Sequence, residues 1–236
     1  SIDASALNTL NGYTTGNVDA TTAESFTGTI SDLNTLYAAA ASSGDGIKGL
    51  GSEAVTVTDS SVSASDLNTL NTSTDYNITV NATAISGSLS DVSTLYDNKA
   101  ADSDADTDGF TGLGNEAITL TDTGSIAAST LLTVAQANSS GTVDASNAGT
   151  ITGTAEEIID AYADSTITEA SDVALTVNTA NSGTATLTQA RSLDGLTTGV
   201  VTATIADTAL SDLLDDSTPL LDANGNNAFT ITIGSG

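Results

Sequence analysis

The densest cluster of chemically capable side chains in this chain is acidic. Asp104, Asp106 and Asp108 alternate and are followed by Gly109, giving Asp-x-Asp-x-Asp-Gly, the opening of a calcium loop. Alternating carboxylates converge on one hard cation, and glycine permits the sharp turn. Asp102 continues the same alternation upstream. A complete loop places a bidentate Glu at its twelfth position; here that position is Asn115, and Glu116 follows it. The corresponding loop of an earlier repeat, residues 38–47, keeps only Asp45 before Gly46, so the cluster is an insertion in one repeat. Asp102, Asp104, Asp106 and Asp108 are the candidate metal ligands, and calcium is the one cofactor the sequence points to. The competing reading of the same residues is a solvated acidic loop.

Other acids recur at fixed places: Asp59 and Asp122 after alternating segments, Asp19 and Asp144 within Val-Asp-Ala. Such positions suit strand termination and capping of backbone N–H groups better than coordination. Thr-x-Thr recurs as Thr56/Thr58, Thr119/Thr121, Thr202/Thr204 and Thr230/Thr232. A flat ladder of such pairs resembles ice-binding proteins, but Asp19, Thr79/Asn81 and Asp144 are expected to interrupt it, and β-propensity alone favours Thr on an exposed strand face. Catalytic readings fare worse. Glu156/Glu157 and Asp215/Asp216 are adjacent, so on a helix they do not face each other. No nucleophile elbow, phosphate loop or dinucleotide fingerprint occurs. The chain is read as a non-enzyme.

Composition narrows the classes further. The 236 residues carry 24 Asp and 6 Glu against Lys48, Lys99 and Arg191, a formal charge of -27, with no His, Cys, Met or Trp. That excludes disulfides, thiolate or imidazole metal sites, and Cys or His nucleophiles. Three cations cannot neutralise a run of phosphates, so neither nucleic acid nor an anionic membrane surface is an expected partner. No apolar run approaches the roughly 18–20 residues of a spanning helix. The chain reads as a mature protein or an excised segment. Disorder is opposed by 39% apolar residues in short periodic groups and by only 14% charged residues. The core these residues build is made of Ala, Val, Ile and Leu, which suits repeated thin layers.

The elements that must position these side chains are set by internal repeats. "IDASALNTLN" from Ile2 recurs as "VSASDLNTLN" from Val62; "ISDLNTLY" from Ile30 recurs as "LSDVSTLY" from Leu89; "GLGSEAVTVTD" from Gly49 recurs as "GLGNEAITLTD" from Gly112. The offsets are 60, 59 and 63 residues. The long repeats span residues 1–59, 60–122, about 123–178 and about 179–236, each made of two half-units. A half-unit reads as a short alternating strand, a loop and a short helix. Strands are expected to start near residues 17, 54, 77, 117, 142, 173, 200 and 229. Helix starts are read at Ser63 or Ser65 before Leu67 and Leu70, at Ser31-Asp32 before Leu33 and Leu36, at Ser90-Asp91 before Val92 and Leu95, and at Thr154 with Glu157 in a capping box. Tyr37 and Tyr96 fall at packing positions. The expected fold is one α/β solenoid over residues 1–236: about eight right-handed strand–loop–helix coils with their short parallel strands stacked coil on coil.

The two ends complement each other. The chain starts on a helix without a preceding strand and ends on a strand without a following helix. "AFTITIGSG" read into "SIDASALNTLN" reproduces the internal "AVTVTDSSVSASDLNTLN" with two extra residues. Phe229, Thr230, Ile231, Thr232 and Ile233 are therefore expected to associate with Ile2, Leu7 and Leu10 of another copy, the expected partner being the chain itself.

The units "SDLNTLY", "SASDLNTLN" and "EAVTVTD" resemble the tandem repeats of very large, acidic, Cys-free surface proteins of bacteria, notably marine cyanobacteria. The resemblance covers most of residues 1–162 and is one of repeat style. It implies an exported structural or adhesive protein outside the cell or on its surface, and it transfers no catalytic residue.

Overall fold

The computed structural model describes residues 1–41, 45–99, 109–178, 183–208 and 227–233. Within them the protein is α/β, with four parallel sheets whose strands alternate with short helices. The chain forms two compact units, residues 1–119 with 137–141, and residues 120–136 with 142–236. No helix among the described residues is long and apolar enough to cross a membrane.

The first unit runs β1 (Ile2–Asp3), α1 (Ala4–Gly12), β2 (Asn17–Asp19), β3 (Ser25–Gly28), α2 (Ile30–Ala38), β4 (Gly46–Lys48), β5 (Ala54–Val57), β6 (Ser61–Ser63), α3 (Ala64–Asn71), β7 (Ile78–Val80), β8 (Ala84–Gly87), α4 (Leu89–Asp97) and β9 (Phe110–Thr111), and reaches β10 (Ala117–Leu120). One sheet has the order β1-β3-β5-β7-β9. Its register is Phe26↔Val55↔Ile78↔Phe110 along the buried column and Thr27↔Thr56↔Thr79↔Thr111 beside it. The division follows from strand alternation: in Val55-Thr56-Val57 both valines are buried and Thr56 faces outward, partly exposed. A second sheet is the pair β2-β4, with Val18 opposite Ile47. β6 pairs β8, with Val62 opposite Ile85.

The helices are short and survive by packing, since isolated helices of this length are marginal in water. Leu33, Leu36, Leu67, Leu70, Val92 and Leu95 face the sheets and are fully buried. Each such leucine contributes roughly 1.5–3 kcal/mol by leaving water. Phe26 and Tyr37 meet edge to face at 6.4 Å. The repeated Leu-Asn-Thr-Leu has a structural reason. Asn8 Nδ2 donates to Asp32 O at 2.9 Å, Asn34 Nδ2 to Asp66 O at 3.2 Å, and Asn68 Nδ2 to Asp91 O at 2.9 Å. Each helix thus holds the first turn of the next. The adjoining threonines, Thr9, Thr35, Thr69 and Thr94, donate to the carbonyl four residues back, which satisfies their hydroxyls inside a helix.

The second unit runs β11 (Ser125–Ala127), α5 (Ala128–Ala137), β12 (Thr142–Asp144), β13 (Thr150–Gly153), α6 (Ala155–Ala163), β14 (Ile167–Thr168), β15 (Ala174–Val177), β16 (Thr184–Ala185), α7 (Leu187–Leu196), β17 (Val201–Thr208) and β18 (Ala228–Ile233). One sheet has the order β11-β13-β15-β17, with Ile151↔Leu175↔Val201 as its buried column. β17 is long enough to pair three strands: β15 through Val201 and Thr202, β16 through Thr204 and Ile205, and β18 on its other side. β12 pairs β14.

Several expectations change. The expected strands are present, with β2, β5, β7, β10, β12, β15, β17 and β18 starting within one residue of the anticipated places. A further strand precedes each helix, including two-residue β1 ahead of α1, so the chain does not begin on a bare helix. These strands were hidden because two or three residues are too few to show alternation. The caps of α2 and α4 are Thr29 and Ser88, two residues before Ser31 and Ser90; their hydroxyls accept from the Asp32 and Asp91 amides at 3.1 Å. Ser63 is the Ncap of α3, and Thr154 with Glu157 forms the capping box of α6. Asp19 lies in β2, outside the sheet that carries Thr27, Thr56, Thr79 and Thr111, so it does not interrupt that threonine column.

Candidate functional site

The best-built polar arrangement is buried, and it recurs. In the first unit the Tyr96 hydroxyl donates to Glu116 Oε2 at 2.7 Å and lies 2.9 Å from Asn138 Oδ1. The Glu116 carboxylate also accepts from the Gly114 and Asn115 amides. Asn138 closes the arrangement: its Oδ1 accepts from the Glu116 amide at 3.2 Å and its Nδ2 donates to the Glu116 carbonyl at 2.9 Å. Glu116 and Asn138 are fully buried. One repeat earlier, Glu53 is buried and accepts from the Gly51 and Ser52 amides, beside Tyr37. Burial foremost, and then the neighbouring carboxylate, hold the Tyr37 and Tyr96 phenols well above their ordinary range.

The loop geometry explains why Glu occupies these places. Gly49 and Gly112 sit at φ +80° and +88°, and a Cβ there would meet the backbone of Thr21 or Val80. The turn they permit aims successive amides at the carboxylate. These glutamates are placed to hold a turn rather than to react, because Glu116 is closed from solvent and its donors belong to the chain. In the second unit Tyr162 holds the place of Tyr96 in its helix, but the arrangement is not reproduced: the Tyr162 hydroxyl and Glu169 Oε1 are buried without a hydrogen-bond partner among the described residues. Burial, reinforced by the charge of Asp164 and opposed by a backbone hydrogen bond, raises Glu169 to about 7.

Asp102, Asp104, Asp106 and Asp108 lie outside the described residues, and among the described residues no group of three or more Asp or Glu is placed to hold a metal. Glu116, the acid next to the twelfth loop position, is taken up by Tyr96 and its own turn. The recurrent aspartates act on the backbone. Asp59 Oδ2 accepts from the Ile30 amide at 2.7 Å, Asp19 Oδ1 from the Thr21 amide at 3.0 Å, and Asp144 Oδ1 from the Ser146 amide at 2.9 Å. Hydrogen bonds from Thr21 and Ser146 hold Asp19 and Asp144 below the usual carboxylate range.

The expected self-association residues fall in different units. In the first, Leu7 is buried, whereas Ile2 and Leu10 are 38% and 52% exposed. Their repeat counterparts, Val62 at 3% and Leu70 at 0%, are covered. Val18 of β2 is partly exposed, whereas its counterpart Ile78 is fully buried. In the second unit Phe229, Thr230, Ile231, Thr232 and Ile233 lie in β18, with Ile231 39% exposed. Among the described strands β18 pairs only β17, and β2 only β4. Sequence reasoning anticipated the strand at β2 but missed the Tyr–Glu latch. The available signal was a Glu kept in both copies of Gly-Leu-Gly-x-Glu, in a chain with only 6 Glu.

No family model, curated protein or solved structure matches this chain.

Proposed function

We propose that the chain is a structural, self-associating repeat protein, a solenoid segment of an extracellular filament, surface layer or giant adhesin that joins copies head to tail through its terminal coils. The observation that carries this reading is the pair Leu10 and Leu70. They hold the same place in successive repeats, yet Leu70 is buried and Leu10 is 52% exposed. Ile2 and Val62 repeat the contrast. A solenoid coil buries its apolar face only against a neighbour, so an uncovered face of core residues marks a place where another coil fits.

The solenoid reading is supported by strand order. In β1-β3-β5-β7-β9 the order follows the chain without the reversal that creates a ligand crevice in doubly wound sheets. A structural rather than catalytic role is supported by Glu53 and Glu116, whose buried carboxylates are engaged by loop amides. The acids spread a charge of -27 over the surface, which limits lateral association. Removing residues 228–236 should abolish end-to-end assembly in electron micrographs; fibres persisting in that truncation would overturn the reading.

The alternative, a calcium-dependent cell-surface adhesion module, rests on the Asp104, Asp106 and Asp108 alternation. Calorimetric titration with calcium tests it: heat of binding together with a raised Tm supports it, and neither signal removes it.

A further inference from the structure

We infer that the open edge of β2 receives β18 of a second copy in parallel, with Ile231 of one copy opposite Val18 of the other. This rests on the self-association reading and names the strand and register that would carry it. It also differs from the pairing suggested by the ends of the sequence, which would have placed β18 on Ile2.

The first unit contains the template. β5 lies between β3 and β7, with Phe26 opposite Val55 and Val55 opposite Ile78. The second unit repeats it, with Ile151 opposite Leu175 and Leu175 opposite Val201. At the end of the chain, Ile205 stands opposite Ile231. Ile205 precedes Thr208 by the same three residues that separate Phe26 from the Ncap Thr29 and Ile151 from the Ncap Thr154. Ile231 therefore occupies the place of Val55 and Leu175; Ile231-Thr232-Ile233 matches Val55-Thr56-Val57 in sequence pattern, while the β17–β18 register shifts beyond Ile205 and sets Ile233 opposite Thr208. In the template that strand always has a further neighbour, β7 or β17. β18 has none among the described strands.

β2 is the neighbour without its strand. Val18 pairs Ile47 as Ile78 pairs Phe110, and Val18 follows Leu7 by the same eleven residues that separate Ile78 from Leu67. Ile78 is buried with β5 beside it; Val18, whose strand pairs only β4 among the described strands, is partly exposed. β1, in contrast, is the end strand of a five-stranded sheet, where no strand of the template is missing.

The hydrogen bonds agree. In the template the Val55 amide donates to Asn77 O at 3.3 Å, and the Asn81 amide donates to Val57 O at 3.4 Å. Asn77 corresponds to Asn17, so its carbonyl is set to accept from the amide of Ile231. Ile231 and Val18 would then close one apolar column, as Val55 and Ile78 do. The same pairing serves separate copies and copies joined in one polypeptide.

The chain has no cysteine, which makes the test direct. Paired positions on parallel strands lie about 4.8 Å apart, within reach of a disulfide. Val18→Cys and Ile231→Cys are made separately, mixed and oxidised, with Ile2→Cys mixed with Ile231→Cys as the comparison, and unmodified chain followed by sedimentation velocity. The expected result is a disulfide-linked heterodimer as the main product of the Val18 pair and little from the Ile2 pair. Assembly of the unmodified chain with crosslinking through Ile2→Cys, or through neither, overturns the register and leaves self-association standing. A chain that sediments as a monomer at every concentration and forms no crosslink overturns both.

Discussion

The Tyr96 hydroxyl and the Glu116 carboxylate meet at 2.7 Å in the interior of the first unit, where Glu116 also takes the Gly114 and Asn115 amides. The carboxylate holds the turn, and the phenol fills its remaining acceptor direction. Tyr96→Phe should therefore cost only about 1–2 kcal/mol, since the amides still satisfy Glu116. Glu116→Ala strips the Gly114 and Asn115 amides of their acceptor, leaves the phenol only Asn138 Oδ1, empties a buried site and should cost about 3 kcal/mol. Urea unfolding monitored by circular dichroism separates the two; equal losses would show that the phenol, not the turn, is the anchor.

Leu10 and Leu70 offer an internally controlled comparison. Leu70→Ala empties a buried site and should cost about 2–5 kcal/mol. Leu10→Ala should cost less than about 1 kcal/mol in the isolated chain. Under the assembly reading Leu10→Ala nonetheless weakens association, visible as a lower sedimentation coefficient at matched concentration.

Ile231→Pro is expected to block assembly without unfolding the chain. By the template, the Ile231 amide points away from β17, as the Val55 amide points away from β3 toward β7. Proline removes that one donor on an edge strand, where proline is tolerated. An unchanged circular dichroism spectrum with loss of large species is the expected pair of results; large species that persist would argue against the β18 edge.

Glu169 should make the second unit less stable as pH rises. Its carboxyl is raised to about 7 in the folded chain, above the ordinary value of 4.5. Below both values the acid is protonated folded and unfolded, so it contributes no difference. Between them the unfolded chain releases the proton and the folded chain keeps it, so stability falls with rising pH and levels off above about 7. Glu169→Gln should raise Tm at pH 8 and leave it unchanged at pH 4. A Tm difference between variant and parent that does not vary with pH would refute the assignment.

Assembly should strengthen with salt. Each copy carries -27, and the contact proposed here is apolar and backbone-mediated. Screening shortens the range of repulsion to about 10 Å at 0.1 M ionic strength. Light scattering should therefore rise from low to moderate sodium chloride; a fall would point to ion pairs as the binding force.

Much of the architecture was legible from particular residues. Leu67 with Leu70, Thr154 with Glu157, and Val55-Thr56-Val57 announce their helix face, cap and strand because each signal lies within a few neighbouring residues. The short strands ahead of the helices were not legible, since Ile2–Asp3 carries no period of its own. The true caps Thr29 and Ser88 were obscured by Ser31 and Ser90, which sit beside an Asp and look equally suitable until the backbone is seen. The asparagine links from Asn8, Asn34 and Asn68 were visible as a repeated residue but not as a repeated bond, because each acceptor is on the next helix.

The sequence by itself determined the repeat, the small-residue core and the charge, because all three are properties of residue type and spacing along the chain. Only the tertiary structure decided which strands are neighbours. Strands distant along the chain pair through backbone groups that every residue carries, so residue type does not show that Val55 lies against Ile78 or that β2 pairs only β4 among the described strands. That neighbour relation moves the expected contact of Ile231 from Ile2 to Val18.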